Sequence, residues 1–510
     1  MRQASGVAAR LSLDTVHPTA QETGVLLQPV PRWILWFVAV LAGTLFTLAW
    51  WTFHFPLTYC DSPSWAPAYF EHLVGQPPFI GDHDRGWLVP TYFNVLGWLS
   101  VRLGTGNLIG CFQATAMALA LLWLCRVLLR DAIVAELVLL PALLLSLLRY
   151  AVYSQTIFSE PLGLIVSVPV WLVILGQTGS SARTALAGVG TMLLGFIRLD
   201  NLYLPLVLVA RIVTQLKSCR QRLRQIGILT GAMLATAALI GILHRAPQTA
   251  EPQLAEIMIA AEWIRYTVPP QHSVARWLHF DLIDRLLPEV QRRSMHTIYD
   301  ALPATRKVYR TYPHPGWLTV ARLVAYQCVN RPLYVLADRL ATLADLYASP
   351  HASYEAGYQS WGSYYWPYEW VLTHWSARQL DEAQYSCPEF ARAQARFFHE
   401  PAVRSEAGLD ILLWLHQVGG WYASWLLRPI AYLVVPAAFI IILRRRPLTP
   451  MYRWLTIIIA AHLALRAWLV CADERYELPI DILLIAWMTL TFRMTIQAMP
   501  TLLASFARRK

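Results

Sequence analysis

Acids and arginines recur in short polar segments that separate long apolar runs of this chain. The first such acid is Asp61, in the segment Tyr59-Cys60-Asp61-Ser62-Pro63 that follows the apolar residues Trp33 to Trp51. A positioned carboxylate can take a proton from an attacking hydroxyl, and an arginine fork can stabilise a phosphate oxygen. Later polar segments hold Asp82, Asp84 and Arg85; Glu160; Arg198 and Asp200; and Glu474, Arg475 and Glu477. Together they predict one shared wet cavity lined by acids and arginines, whereas any single segment is equally consistent with an ordinary solvated loop.

Composition places these segments between membrane helices. The chain has 510 residues, of which 56% are hydrophobic and 14% are charged. This is too apolar for a soluble protein and is typical of a polytopic membrane protein. The net charge of +11 comes from arginines in short clusters between apolar runs and at the C-terminus. That distribution is expected of cytoplasmic loops, so no nucleic-acid partner is predicted.

The basic clusters also predict the orientation of the chain. The dense group from Arg211 to Arg224 is assigned to the cytoplasm, which places residues 52–107 and the Glu160 and Arg198–Asn201 segments outside. Residues 87–103 then form a juxtamembrane or interfacial helix. We predict an all-α polytopic membrane protein with about ten transmembrane helices and a mainly helical external domain. The spans lie at about 33–51, 108–124, 131–149, 161–176, 184–197, 202–214, 226–243, 424–443, 454–470 and 478–492.

Four regions follow from this topology. They are a cytoplasmic tail (1–31), an N-terminal transmembrane core (32–243) containing the first external loop (52–107), an external helical domain (244–424), and C-terminal transmembrane helices with a cytoplasmic tail (425–510). The external domain contains amphipathic stretches at Ala255 to Tyr266, Trp317 to Val329 and Leu333 to Tyr347. Cys328 and Cys387 could pair there if the outer face is oxidising, the alternative being two unrelated thiols. The cysteines show no metal-ligand spacing.

Three segments resemble motifs of the GT-C membrane glycosyltransferases, which use lipid-phosphate sugars and include protein O-mannosyltransferases and aminoarabinose transferases. They are Tyr59-Cys60-Asp61-Ser62 after the first span, Ser159-Glu160-Pro161-Leu162 at a middle span, and Arg475-Tyr476-Glu477-Leu478-Pro479 at a late span. The resemblance implies a GT-C-like fold and transfer of a sugar from a polyprenyl-phosphate donor to an acceptor hydroxyl. The acceptor would be a glycan, a lipid or a protein.

The resemblance also implies roles for individual residues. Asp61 would be the general base, with Asp84 and Glu160 as alternates. Arg475 would bind the donor phosphate, followed in preference by Arg85 and Arg198. The substrate cavity would include Tyr59, Trp65, Tyr92, Asp200 and Tyr476. Because Asp61 is followed by Ser62 where the commonest family pattern has a second acid, no cofactor or metal ligand is assigned, and a divalent metal stays an open alternative.

Other interpretations remain open. His462 and Arg466 share a helix face, and a packed polar pair, a snorkelling arginine and a lipid-phosphate contact each fit that spacing. A different glycan ligase or polymerase at the external face would also combine many spans with a large outer segment. A multispan transporter is the alternative that is not an enzyme. The arginine bias and compact loops favour a bacterial inner membrane with the active site facing the periplasm, and they leave the oligomeric state undetermined.

Overall fold

The fold was analysed in a computed structural model of the full chain. The structure describes residues 32–54, 56, 69, 88–128, 147–148, 150–155, 159–176, 180–197, 201, 203–243, 254–292, 298–314, 316–348, 403–422, 433–445, 450–469, 482–491 and 494–495. This part of the chain is all-helical, as predicted. Its one β contact is an isolated antiparallel bridge between Phe53 and Val403.

Among the described residues, seven helices precede the predicted external domain, six lie between residues 254 and 348 of that domain, and four lie after residue 402. The first group is α1 (Arg32–Thr52), α2 (Leu88–Leu103), α3 (Leu108–Leu128), α4 (Ser159–Leu175), α5 (Ser181–Ile197), α6 (Leu204–Gln215) and α7 (Cys219–Leu243). The second is α8 (Leu254–Ile264), α9 (Ser273–Leu278), α10 (Asp281–Arg292), α11 (Ile298–Arg310), α12 (Trp317–Asn330) and α13 (Pro332–Ala348). The last is α14 (Glu406–Tyr422), α15 (Val435–Arg445), α16 (Pro450–Leu469) and α17 (Ile482–Thr491).

Local chemistry accounts for several helix features. Hydroxyl groups inside the apolar helices bond to the carbonyl one turn earlier, as Thr44 does to Val40 (2.8 Å) and Thr52 to Leu48 (2.7 Å). These bonds satisfy the polar groups without a partner from another helix. Helix α2 ends because Gly104 adopts a φ of +65°, and the Thr105 N–H then bonds to the Ser100 carbonyl at 3.1 Å. This left-handed glycine closes the helix and lets the chain turn sharply into α3.

Two apolar cores organise the helices. The larger core joins α1 to α7 with α14, α16 and α17, and its strongest helix contacts are α5 with α7 and α4 with α5. Gly188 allows the close approach of α5 to α7, since a Cβ there would lie 2.8 Å from the Leu229 carbonyl oxygen. The smaller core joins α8 to α13 around Trp263 and Tyr266.

Helix α13 connects the two cores. Val335, near its start, packs in the smaller core, whereas Leu343 and Tyr347 pack against the larger one. The helix also packs along α16. The functional-site candidate described below lies where α8, α13 and α16 meet.

Helix length and composition support membrane association without fixing the number of spans. In the described part of the chain, Cys219–Ile240 is long and apolar enough to cross a membrane. Leu88–Leu103 and Leu108–Leu124 would qualify only as one span bent by 117°. Five further helices are apolar but shorter: Trp36–Thr52, Pro161–Leu175, Ser181–Ile197, Leu204–Gln215 and Ile482–Thr491. The ten-span topology and the position of 87–103 relative to the membrane therefore remain predictions.

The regional boundaries and the proposed disulfide also remain predictions. Val403, Leu409 and Leu412 pack with the larger core although they precede residue 424. Cys328 forms no disulfide with another described cysteine, packs against the smaller core, and has its pKa raised by burial. Its predicted partner, Cys387, lies outside the described residues.

Candidate functional site

Five polar side chains converge between α8 and α13, and we refer to them as the charge cluster. Glu262 lies on α8, Arg265 and Tyr266 follow the end of that helix, and Asp338 and Arg339 are consecutive on α13. Glu262 is fully buried and the Arg339 side chain is 2% exposed. Burying ionised groups costs several kcal/mol each unless partners compensate for the lost water. The cluster supplies those partners.

Arg339 is the central donor of the cluster. Its Nη2 group lies 2.5 Å from Glu262 Oε1 and 2.6 Å from Asp338 Oδ2, and it also contacts the Tyr266 hydroxyl. Its Nη1 group donates to the Ala467 carbonyl of α16 at 2.9 Å. A guanidinium is well placed there, because the last carbonyls of a helix lack intrahelical donors and carry partial negative charge. Arg339 therefore links the smaller core to the end of α16.

Arg265 provides a second cation to the same acids. Its Nη2 group lies 2.7 Å from Glu262 Oε1 and 2.7 Å from Asp338 Oδ2. The Tyr266 hydroxyl donates to Asp338 Oδ2 at 2.5 Å. Burial works to raise the pKa of the Asp338 carboxyl, but the Tyr266 hydrogen bond and the charges of Arg265 and Arg339 outweigh it. The pKa of Asp338 therefore lies below its ordinary value, and this acid is held in its charged form.

One acceptor of the cluster remains unused among the described residues. Glu262 Oε2 is buried and makes no hydrogen bond there, although Glu262 Oε1 is bound by both arginines. A buried carboxylate oxygen without a donor is costly, and so it is a strong acceptor for a ligand hydroxyl. Trp263 adds an aromatic wall, with its ring centroid 5.6 Å from the Arg339 guanidinium and 5.5 Å from the Trp468 ring.

Helix α16 carries two further buried polar side chains near the charge cluster's contact with Ala467. Arg466, which precedes Ala467, is 3% exposed, and His462 one turn earlier is 1% exposed. The His462 Nδ1 atom lies 3.2 Å from the Tyr203 hydroxyl at the start of α6. This burial is inconsistent with a snorkelling Arg466 and leaves a packed polar pair or a phosphate contact.

This arrangement can bind a phosphorylated, hydroxyl-rich ligand. Because water is largely excluded, a buried arginine loses little of its attraction for an anion to screening. Glu262 Oε2 and the aromatic rings offer contacts to sugar hydroxyls and sugar faces. The described residues contain no group of acids, histidines and cysteines suited to a metal ion.

Most residues that the sequence nominated lie outside the described part of the chain. This applies to Asp61, Asp84, Arg85, Arg198, Arg475, Tyr59, Trp65, Asp200 and Tyr476. Glu160 is in the first turn of α4, but only its backbone is described. Tyr92 packs in α2 with ring centroids 5.2 Å from Phe93 and 6.1 Å from Phe112. The roles of these residues remain predictions.

The structure does bring together three chain segments near those residues. Asn107 Nδ2, just before α3, donates to the Phe53 carbonyl at 3.2 Å and to Gln155 Oε1 at 3.0 Å. Gln155 Nε2 in turn donates to the Gly110 carbonyl at 3.3 Å. This pair, the amide clamp, joins the end of α1, the start of α3 and the residues that lead into α4. Nearby, the Tyr69 hydroxyl bonds to Ser100 Oγ and donates to the Gly106 carbonyl, both at 2.7 Å.

Sequence reasoning did not nominate the charge cluster. A signal for it exists, because Glu262 interrupts the apolar sequence Ile259-Ala260-Ala261-Glu262-Trp263-Ile264, and Asp338-Arg339 interrupts a similar stretch in α13. Charges on the apolar face of a helix are rarely buried without a partner. The pairing itself could not be read from the sequence, since Glu262 and Arg339 are 77 positions apart.

Comparison with known proteins gives no match. No protein-family model, no curated protein and no solved structure is similar to this chain.

Proposed function

We propose that this protein transfers a glycosyl group from a polyprenyl-phosphate donor to an acceptor hydroxyl at the outer face of a bacterial inner membrane. The observation that carries the proposal is the buried charge cluster, whose Arg339 donates to the Ala467 carbonyl near the end of α16, next in sequence to the buried Arg466. In the predicted ten-span topology that end of α16 faces outward. A lipid phosphate enters a membrane protein at this level, where its head group meets water.

The reaction requires one proton transfer and one displacement. The Asp61 carboxylate takes the proton of the acceptor hydroxyl while its oxygen attacks the anomeric carbon. The bond from that carbon to the donor phosphate breaks, and the polyprenyl phosphate leaves with the electron pair. Guanidinium groups stabilise the charge that develops on the leaving oxygen. A single displacement inverts the anomeric carbon.

Two groups of residues support donor recognition: those at the end of α16 and those of the charge cluster. Arg466 and the Tyr203 and His462 pair provide buried polar groups beside the end of α16. Glu262 Oε2 provides an acceptor for a sugar hydroxyl, held in place because Glu262 Oε1 is bound by Arg265 and Arg339. Arg475, six residues after Leu469 ends α16, would then approach the same phosphate.

The test is a transfer assay with purified protein in nanodiscs and a panel of polyprenyl-phosphate sugars. Asp61→Asn keeps the size of the side chain and removes the base, so we expect a loss of about 100-fold or more in kcat. Arg466→Gln removes a buried cation, and we expect a loss of about 100-fold in kcat/KM. Arg276→Gln is the matched control, because Arg276 is an exposed arginine of α9.

The outcomes distinguish the proposal from its alternatives. Consumption of no lipid-linked sugar in the panel would overturn it. Uptake of a substrate into sealed vesicles without chemical change would instead assign the chain to transport. Activity that withstands Asp61→Asn but is lost on changing His351 or His374 would favour a glycan ligase or polymerase. Both histidines lie in the large predicted outer segment, where such an enzyme is expected to hold its essential histidines.

A further inference from the structure

Helices α4, α6 and α16 meet at the end of the larger core that lies away from the charge cluster. The Arg211 Nη2 group, near the end of α6, donates to the Gly176 carbonyl just after α4 at 2.6 Å. The Arg211 guanidinium lies 5.4 Å from the centroid of the Trp454 ring, near the start of α16. From Trp454 to Ala467, which contacts the charge cluster, α16 rises by about 20 Å. Arg211 therefore ties three helix ends together on the side away from that cluster.

Helices α5 and α7 begin at the same end. Only residues 216–218 separate α6 from α7. The Gln225 Nε2 group of α7 donates to Ser181 Oγ, at the start of α5, at 3.5 Å. Gly188, further along α5, packs against Leu229, further along α7, so the two helices run parallel. The first turns of α5 and α7 therefore lie side by side.

The exposed polar side chains at this end are strongly basic. They belong to the first two turns of α5 and α7, to the connector between α6 and α7, and to the start of α16. We refer to them as the basic end: Arg183, Lys217, Arg220, Arg224 and Arg453. None of them forms an ion pair with a described residue. After residue 160, the described parts of these five helices contain no aspartate or glutamate, so an anionic partner would meet uncompensated positive charge.

Exposed leucines follow the cations on α5 and α7. Leu186, less than one turn after Arg183, is 67% exposed, and Leu234 on α7 is 65% exposed. From Arg224 to Leu234 the helix rises by about 15 Å, which is half of a hydrocarbon core of about 30 Å. The stretch Cys219–Ile240 is apolar enough to cross a membrane, yet only 22% of it is buried. A partner that combines negative charge with long apolar chains would cover both surfaces.

We propose that the basic end binds anionic phospholipid of the cytoplasmic leaflet, with the phosphates on the exposed cations and the acyl chains along the exposed leucines of α5 and α7. A soluble polyanion would satisfy the cations but would leave the leucines in water. A zwitterionic lipid gains less, because its own ammonium group repels the cations. The proposal rests on the placement of α7 across the membrane and does not depend on glycosyl transfer.

The test is native mass spectrometry of the full-length protein released from nanodiscs that contain equal amounts of phosphatidylglycerol and phosphatidylcholine with identical acyl chains. Arg220→Gln with Arg224→Gln, the glutamine pair, removes two cations of the basic end. Arg220→Lys with Arg224→Lys, the lysine pair, changes the same positions and keeps both charges. Arg276→Gln with Arg322→Gln is the matched control, because both are exposed arginines, on α9 and α12.

We expect wild type, the lysine pair and the matched control to retain phosphatidylglycerol in preference to phosphatidylcholine. The glutamine pair is expected to lower that preference about 25-fold, since each basic side chain near a membrane surface strengthens the binding of anionic lipid about fivefold. An unchanged preference in the glutamine pair would overturn the proposal. An equal decrease in the lysine pair or in the matched control would do the same.

The wild-type protein gives a second readout, because salt screens exposed charges. Raising the salt concentration in the nanodisc buffer from about 0.1 M to about 1 M shortens the Debye length from about 10 Å to about 3 Å, so we expect the preference to fall. A preference that does not change with salt would overturn the proposal. Displacement of phosphatidylglycerol by inorganic polyphosphate would assign the basic end to a soluble anionic partner and overturn it as well. Selective lipid retention by a protein that transfers no sugar would overturn only the proposed glycosyl transfer.

Discussion

Replacement of Arg339 by methionine tests whether the charge cluster holds α8 and α13 to α16. Methionine keeps much of the side-chain volume and removes the donors to Glu262, Asp338 and the Ala467 carbonyl. Removing one partner of a buried ion pair costs about 3–5 kcal/mol, because the remaining charge stays buried. Arg265 keeps its contact with Glu262 Oε1 at 2.7 Å, so we expect the lower end, about 3 kcal/mol.

The assay is reversible denaturant unfolding of the purified protein, followed by tryptophan fluorescence, with Arg276→Met as the control for loss of an exposed arginine. A double-mutant cycle with Glu262→Gln separates the pair from its surroundings. Arg339→Met is costly because it leaves the Glu262 charge buried without its partner, and Glu262→Gln removes that charge. The loss of stability in the double variant is therefore expected to be about 2 kcal/mol smaller than the sum of the losses in the two single variants. Additive effects, or an Arg339→Met cost equal to that of Arg276→Met, would refute the structural role of the cluster.

Three further predictions follow from the described residues. Because the pKa of Asp338 is lowered in the fold, the ionised carboxylate stabilises the protein above its unfolded pKa of about 4, and this stabilisation is lost as the pH falls through the folded pKa. Asp338→Asn is therefore expected to make the free energy of unfolding depend less on pH at acid pH. An unchanged dependence on acid pH would contradict this. Burial raises the pKa of Tyr309 to about 12, aided by its hydrogen bond to Glu256, so its contribution is present below about pH 10 and is lost as pH rises to about 12. Thermal unfolding of Tyr309→Phe between pH 9 and 12 is expected to show a smaller decrease than wild type, and an equal decrease would refute this. Gly188→Ala introduces a methyl group where α5 contacts α7 and is expected to lower the free energy of unfolding, measured with denaturant, by about 1–3 kcal/mol. Gly231→Ala is the control, because a Cβ there meets no atom within 4 Å. An equal effect of both changes would contradict the packing argument.

The helices were largely predictable because apolar length is a local property. The run from Trp33 to Trp51 became α1, Arg32–Thr52, and the run at 184–197 became α5, Ser181–Ile197. The amphipathic stretch from Ala255 to Tyr266 became α8, Leu254–Ile264. Each is a helix since an apolar or one-sided sequence buries its surface best in that form.

The contacts between distant segments were not predictable from the same pattern. Periodicity shows which face of α8 is apolar, but it does not show that Glu262 on that helix meets Arg339 on α13. The same applies to Arg404, whose position beside Trp50 and His54 depends on the pairing of Phe53 with Val403. The types of the residues alone were enough to propose acids as bases and arginines as phosphate-binding groups. Their assembly required the three-dimensional fold.

The amide clamp, which joins the end of α1 to the start of α3, allows a test of whether this region positions the predicted base Asp61. A Cβ at Gly110 would lie 2.1 Å from Gln155 Oε1 and 2.4 Å from Asn107 Oδ1, so Gly110→Ala must displace at least one of these amides. The Asn107 bond to the Phe53 carbonyl is then strained or lost, and a buried amide without its partner costs about 1–3 kcal/mol. Gly227→Ala is the control, because a Cβ there meets no atom within 4 Å.

The clamp is far along the chain from the proposed phosphate site on α16 but close to Asp61, which follows Phe53 by eight residues. A clamp that orients the base is therefore expected to affect kcat more than KM for the lipid donor, since donor binding depends on α13 and α16. We expect Gly110→Ala to lower kcat by about tenfold or more while KM changes little, as a small misplacement of a catalytic group does. A purely structural clamp would instead lower the amount of folded protein and leave the kcat of the folded fraction unchanged. That result would show that the clamp does not position Asp61.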